Sequence, residues 1–194
     1  MAIGTIIFYI FIWLFILIFL AILIILCVWM WTGMKAKVPF VPVPNSILPD
    51  IEKALDLGEG SVVLDLGCGD ARVLSYLANK NKEKNIKFIG IENSLFPIYL
   101  ARFITWWNKK MGKGDVEVVA QDFFKYNLKD ATHIFVYLYP SVMDDLLSKF
   151  EKELAPHTKL VSVTFQFTQK KPICEIDLER KSYQLAKKMY VYEF

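Results

Sequence analysis

The residues best placed to do chemistry lie in one stretch, Val62-Val63-Leu64-Asp65-Leu66-Gly67-Cys68-Gly69-Asp70-Ala71-Arg72. It joins a short apolar run to an acid, a glycine turn and a helical pattern. Gly67 and Gly69 let the backbone bend sharply and approach a ligand closely. The amides of the turn, and those opening the helix after it, favour a negatively charged group. In an open sheet of strands and helices, ligands bind beyond the carboxyl ends of the strands, which is where this turn falls. A dinucleotide fingerprint would read GxGxxG, but Arg72 stands at the third glycine position and that pattern fails.

Further acids come in order along the chain. Glu92 ends the apolar run that begins at Ile86, which sets a second carboxylate at a strand end. Asp122 comes after Val116 to Ala120 in the stretch Ala120-Gln121-Asp122-Phe123-Phe124, a third carboxylate past a strand end with aromatics beside it. A fourth run ends in Tyr137-Leu138-Tyr139-Pro140. Each has a plainer reading. Asp65 could brace its turn, Glu92 could be an exposed strand-end charge, Asp122 could cap a turn, and Tyr139-Pro140 could simply end a strand. Four signals in one order favour the ligand reading.

The elements that must position these residues can be read from periodicity. Asn45 or Ser46 caps a short helix through about Leu57, with Pro49 in its first turn and Gly58-Glu59-Gly60 stopping it. Strands are expected at 62–64, 86–91, 116–120, 134–138 and 160–167, with helices at 71–79, 94–110 and 142–154. The tail from Lys171 to Phe194 reads as two strands and a turn. Alternation of this kind implies an α/β fold with a mostly parallel sheet covered on both faces, closed by an antiparallel edge hairpin. In the helix from Ser94, the stripe Tyr99, Leu100, Phe103, Ile104 and Trp107 is expected to face the core.

Composition divides the 194 residues sharply. Hydrophobic residues make up 55%, yet no charged side chain occurs from Met1 to Met34, and all 23 basic and 20 acidic residues begin at Lys35. The run from Ile6 to Trp31 is long enough to cross a hydrocarbon core of about 30 Å. Trp29 and Trp31 would sit at the interface, before Lys35 and Lys37. A cleaved signal peptide fits poorly, because there is no basic start, the run is too long and no small-residue cleavage site comes after it. The expected organisation is a transmembrane anchor at 1–34, a proline-rich connector and short helix at 35–60, and a catalytic domain at 61–194. The lysines after the span place that domain in the cytosol.

Cys27, Cys68 and Cys174 form no CxxC pair, and His133 and His157 have no ligand cluster around them, so neither a disulfide framework nor a metal site is expected. The net charge of +3 is mild, and no nucleic-acid partner is expected. The scattered lysine pairs read as a solvated face, with an anionic lipid surface as the alternative.

The D-x-G-x-G turn resembles motif I of class I S-adenosylmethionine-dependent methyltransferases. More narrowly, the chain resembles the membrane-anchored protein lysine methyltransferases of mitochondria and their prokaryotic relatives. The likeness covers the N-terminal span, Pro39 to Pro42, the L-D-L-G-C-G-D-A-R turn, Gly90-Ile91-Glu92-Asn93, Gln121-Asp122-Phe123 and Tyr139-Pro140-Ser141-Val142-Met143. It implies a Rossmann-like sheet and S-adenosylmethionine as cofactor. Asp65 and Gly67, Cys68, Gly69 and Asp70 would hold its aminocarboxypropyl arm, Glu92 and Asn93 its ribose, and Asp122 and Phe123 its adenine. Tyr139 and Pro140 would position the acceptor, and the implied substrate is a membrane-associated protein. The departures are Ala71 where the family has glycine, Thr164 where it has arginine, and Gln166 where it has proline. Rival readings are a lipid or isoprenoid acceptor, and a scaffold with a disused methyltransferase fold.

Overall fold

The structure, a computed structural model, describes the backbone of residues 2–35, 41–178 and 186–194, and the side chains of 4–27, 41–178 and 186–194. The chain divides into two compact units, Met1–Pro39 and Phe40–Phe194. The first is one helix, α1 (Ala2–Lys35). Its segment Gly4–Cys27, 24 residues, is long and apolar enough to cross a membrane. Every side chain from 4 to 27 is exposed, so none of this apolar surface is covered by protein. Trp29, Trp31 and the first part of the proline connector lie outside the described side chains.

The second unit is built on one seven-stranded sheet. Its strands are β1 (Val62–Leu66), β2 (Lys87–Glu92), β3 (Glu117–Ala120), β4 (His133–Val136), β5 (Lys159–Val163), β6 (Cys174–Asp177) and β7 (Lys188–Glu193). They lie in the order β3-β2-β1-β4-β5-β7-β6. The first five pair in parallel, and β7 pairs antiparallel with both β5 and β6. The expected edge hairpin is therefore present, but β7 is inserted inside the edge and β6 runs with the parallel strands. The turn expected between them lies in 179–185, outside the described residues.

Helices cover both faces, as a parallel sheet requires. On one face α2 (Leu48–Leu55) and α3 (Arg72–Lys80) pack over Val63, Phe88, Phe135 and Val161. On the other, α5 (Pro140–Glu153) buries Met143, Leu146, Leu147 and Phe150, a spacing of three and four residues that forms one stripe. Pro140 opens α5 at the position where its missing N–H costs nothing. Residues 43–57 belong to this core: Val43, Ile47, Ile51, Leu55 and Leu57 are all buried in it.

Several expectations shift. Asn45 caps nothing through its side chain; Asn45–Ile47 is a 3-10 turn and α2 starts after it. The helix stops at Asp56, in the left-handed region at φ 53°, before the glycines are reached. β4 ends at Val136, so Tyr137 and Leu138 leave the sheet. β5 ends at Val163 rather than Phe167, because Thr164 turns the chain at φ 74° and its N–H bonds Lys188 O at 2.8 Å.

The largest correction concerns α4 (Leu95–Lys110), which lies beside α3 and against β3. Its buried residues are Pro97, Ile98, Ala101 and Thr105. Tyr99, Phe103 and Trp107, expected in the core, are exposed, and Leu100 and Ile104 are half-buried. The packed face includes the small residues Ala101 and Thr105, which let the helix approach its neighbours closely.

Gly114 shows how tight this corner is. It sits at φ +94°, and a Cβ there would stand 2.7 Å from the backbone carbonyl of Ala78 in α3. Gly114→Ala should lower unfolding stability by about 2–4 kcal/mol, from left-handed strain plus overpacking. Denaturant melts of the full chain check this, and an unchanged midpoint would refute the close packing.

Candidate cofactor and acceptor site

The carboxyl ends of four parallel strands align. Leu66 pairs with Ile91 on one side and with Val136 on the other, and Glu92 pairs with Ala120. The loops that leave these strands therefore meet at one edge of the sheet. After β1 the chain bends through Gly67 (φ +79°), Gly69 (φ +57°) and Ala71 (φ +58°). Ala71 thus occupies a backbone state that suits glycine, which accounts for the residue expected there.

The turn is stitched to the end of β2. The N–H groups of Gly67 and Cys68 both donate to Ile91 O, at 2.8 and 3.1 Å. Gly69 N–H donates to Glu92 Oε2 at 3.1 Å, and the N–H groups of Asn93 and Ser94 donate to Glu92 Oε1, each at 2.9 Å. Glu92 is buried, not an exposed strand-end charge. Gly90 makes the approach possible, since a Cβ there would stand 2.6 Å from Cys68 Sγ.

This corrects the expected anion site. The amides of Gly67, Cys68 and Gly69 are committed within the protein, and Ala71 N–H bonds Cys68 O at 2.8 Å. The field at the turn is instead acidic. Asp65, Asp70 and Glu92 are all buried there. Asp70 is neutralised by Arg72, whose Nε lies 3.0 Å from both of its oxygens and whose Nη2 lies 2.6 Å from Oδ2. Among the described residues, neither Asp65 nor Glu92 has an ion-pair partner. Burial, then the neighbouring charges of Glu92 and Asp70, hold the Asp65 carboxyl well above the usual carboxylate range. A pyrophosphate would be repelled here, whereas a ligand carrying positive charge would relieve the strain.

Arg72 shapes the turn, a part that sequence reasoning saw only as a missing glycine. Besides locking Asp70, its Nη1 donates to Val43 O at 3.2 Å, tying the end of the connector to the turn. Cys68 is buried, and desolvation followed by the charge of Asp65 pushes its thiol far up, so it is no nucleophile.

Asp122 and Phe123 lie just past β3. Asp122 Oδ1 accepts from Phe124 N–H at 2.9 Å, so it does cap a turn, and its second oxygen can still accept from another donor. An ideal Cβ on Gly67 would stand 4.0 Å from Phe123 Cε1 and 3.1 Å from Leu138 Cδ2. The β1 turn, the loop after β3 and the loop after β4 thus converge at Gly67. Next to them, Tyr139 caps α5 and its ring stacks on Phe165, with centroids 6.0 Å apart and planes 26° from parallel. Phe165 lies just past β5, and its carbonyl accepts from Ser162 Oγ at 2.6 Å. Both histidines lie away from this site: His133 begins β4 and touches Thr132 Oγ1, and His157 pairs with Glu193.

The parallel sheet order, the glycine turn after β1 and the acid ending β2 agree with what the resemblance to class I methyltransferases implies. The ANTKMT methyltransferase domain model matches residues 65–174, and the chain belongs to that family. It is 30% identical over 129 residues to a protein-lysine N-methyltransferase of Saccharolobus islandicus, covering 66% of this chain and 78% of that one. It is 25% identical over 133 residues to a human lysine N-methyltransferase named for ATP synthase, covering 69% of this chain but only 54% of the human protein. Among solved structures, it resembles an RNA methyltransferase from Salinibacter ruber bound to S-adenosyl-L-homocysteine, with a TM-score of 0.68 and 28% identity over 79% of this chain and 93% of that one. A Geobacter metallireducens precorrin-6y C5,15-methyltransferase shares the fold, with a TM-score of 0.58 and 14% identity over 80% of this chain and 90% of that one. The chain is an S-adenosylmethionine-dependent methyltransferase.

Two outcomes test the site. The folded Asp65 carboxyl titrates above its unfolded value, so between the two the folded chain holds more protons and stability falls as pH rises from about 4. Without cofactor, Asp65→Asn should melt at a higher temperature than the parent at pH 7, with the gap closing below about pH 4. A gap independent of pH would show that Asp65 is not strained. Glu92→Ala should weaken binding of S-adenosylhomocysteine about 10- to 100-fold in calorimetry. Circular dichroism controls for folding, and unchanged affinity would remove Glu92 from the site.

Proposed function

We propose that this chain is a membrane-anchored methyltransferase that N-methylates a lysine of a membrane-associated protein. In this reading residues 1–34 anchor the chain in the bilayer as a single span, 35–60 lead from the span into the domain, whose core their segment 43–57 joins, and 61–194 form the rest of the methyltransferase domain, with Lys35 and Lys37 setting that domain on the cytosolic side. The observation that carries the catalytic part is the pair of buried acids, Asp65 and Glu92, with no cation beside them among the described residues, next to the stacked Tyr139 and Phe165. The acids suit the cationic cofactor. The aromatic shelf suits the apolar methylene stem of a lysine. The names of the archaeal and human relatives support lysine as the acceptor.

The fit is specific. Asp65 and the turn Gly67 to Asp70 would face the aminocarboxypropyl arm, Glu92 and Asn93 the ribose, and Asp122 and Phe123 the adenine. Held by these residues, S-adenosylmethionine would supply an electrophilic sulfonium methyl for the acceptor nitrogen, leaving as the neutral thioether. The protein's part is placement, which can supply about 7–11 kcal/mol of the barrier. Tyr139 and Phe165 would orient the lysine chain, and their apolar surface favours the neutral amine, its proton passing to solvent before transfer. Confinement to the bilayer surface raises the effective concentration of membrane-bound substrates.

The test is methyl transfer from labelled cofactor by the full chain reconstituted in native membranes, with protein, lipid and RNA then separated. Label in protein, released as methyl-lysine on acid hydrolysis, supports the reading. Label in lipid would favour an amphiphile acceptor, and label in RNA an acceptor like that named for the Salinibacter protein; either overturns lysine. No label in any fraction would favour a scaffold.

A further inference from the structure

None of the residues on the exposed face of α4 is among those assigned above to the cofactor or the acceptor. Of the ten large apolar side chains exposed in the second unit, among the described residues, seven lie between residues 95 and 111. Tyr99 is 69% exposed, Phe103 61%, and Trp106 and Trp107 52% each. At about 100° per residue, Leu95, Phe96, Tyr99, Phe103, Trp106 and Trp107 fall within an arc of about 120°. The buried Ile98, Ala101 and Thr105 fill a separate arc. Phe103, Trp106 and Trp107 form a continuous surface, with successive ring centroids 6.2 Å apart. So wide an apolar patch on a soluble face marks a binding surface.

Composition identifies what covers it. The helix carries no acidic residue, while Arg102, Lys109 and Lys110 border or enter the arc and Lys113 comes just after. Lys109 is shared with Asp115, at 2.5 Å. Tryptophan and tyrosine with basic neighbours are the side chains that settle at a bilayer's headgroup level, and a helix of this pattern lies in the plane of the interface. Only residues 36–40 separate α1 from the segment that enters the domain core, a reach of at most about 20 Å.

We infer that α4 is an in-plane docking helix that seats the methyltransferase domain on an anionic lipid surface through Phe103, Trp106 and Trp107. The inference rests on the membrane-anchored reading. It gives the domain a second point of attachment, so the bilayer fixes its orientation as well as its distance.

The test uses the full chain with Trp13, Trp29 and Trp31 changed to Phe, leaving Trp106 and Trp107 as the only indoles. It is reconstituted in phosphatidylcholine–phosphatidylglycerol vesicles whose lipids carry bromine either high or deep on the acyl chains. Blue-shifted emission, with a larger loss of intensity from the shallow bromines than from the deep ones, is expected. A chain that floats with the vesicles but whose emission is unquenched would overturn the docking while leaving the anchor intact. Unquenched emission that shifts with protein-to-lipid ratio would assign the face to a second copy and overturn it too. Failure to float would remove the anchor reading and this inference with it.

Discussion

One buried carboxylate holds the site together. Glu92 accepts from Gly69 in the turn after β1 and from Asn93 and Ser94 in the loop that leads to α4. Three amides make its burial tolerable, since hydrogen bonds to the charged form offset desolvation. The arrangement also means that neither strand end is placed without the other. The bare backbone of Gly90 lets the Cys68 side chain close over β2, and two amides of the turn share the single carbonyl of Ile91. The geometry of the turn is thus set by the neighbouring strand as much as by its own glycines.

That commitment of amides decides the chemistry. A glycine turn that leaves its N–H groups free invites phosphate. Here they are used internally, and Asp65 is left with a carboxyl that burial and its neighbours make costly to ionise. Arg72 completes the distinction: placed where a third glycine would admit a dinucleotide, it neutralises Asp70 and reaches the connector at Val43.

Much of this was legible in the chain. The alternation of apolar runs and helical stripes announced the parallel sheet and its order of acids, because strands buried on both faces must be apolar throughout. The strand ends were less so. Thr164 looks like part of an apolar run, and only a left-handed backbone stops β5 there. Periodicity likewise found α4 but not its inner face, since apolar residues lie on nearly all sides of it. Small residues at Ala101 and Thr105 were the signal that close packing leaves. The partnership of Arg72 with Val43, and the stack of Tyr139 on Phe165, join residues far apart in sequence, and no local pattern encodes them.

The covered thiol of Cys68 has a consequence for how the protein tolerates its surroundings. Oxidants and alkylating reagents attack the thiolate, and burial keeps this sulfur in its protonated form, wedged against the bare backbone of Gly90. A cysteine stands in the middle of the cofactor turn, yet peroxide or an electrophile meets no reactive sulfur there. Such agents would reach the exposed sulfur of Cys174 first, so the turn is shielded where its sequence looks most vulnerable.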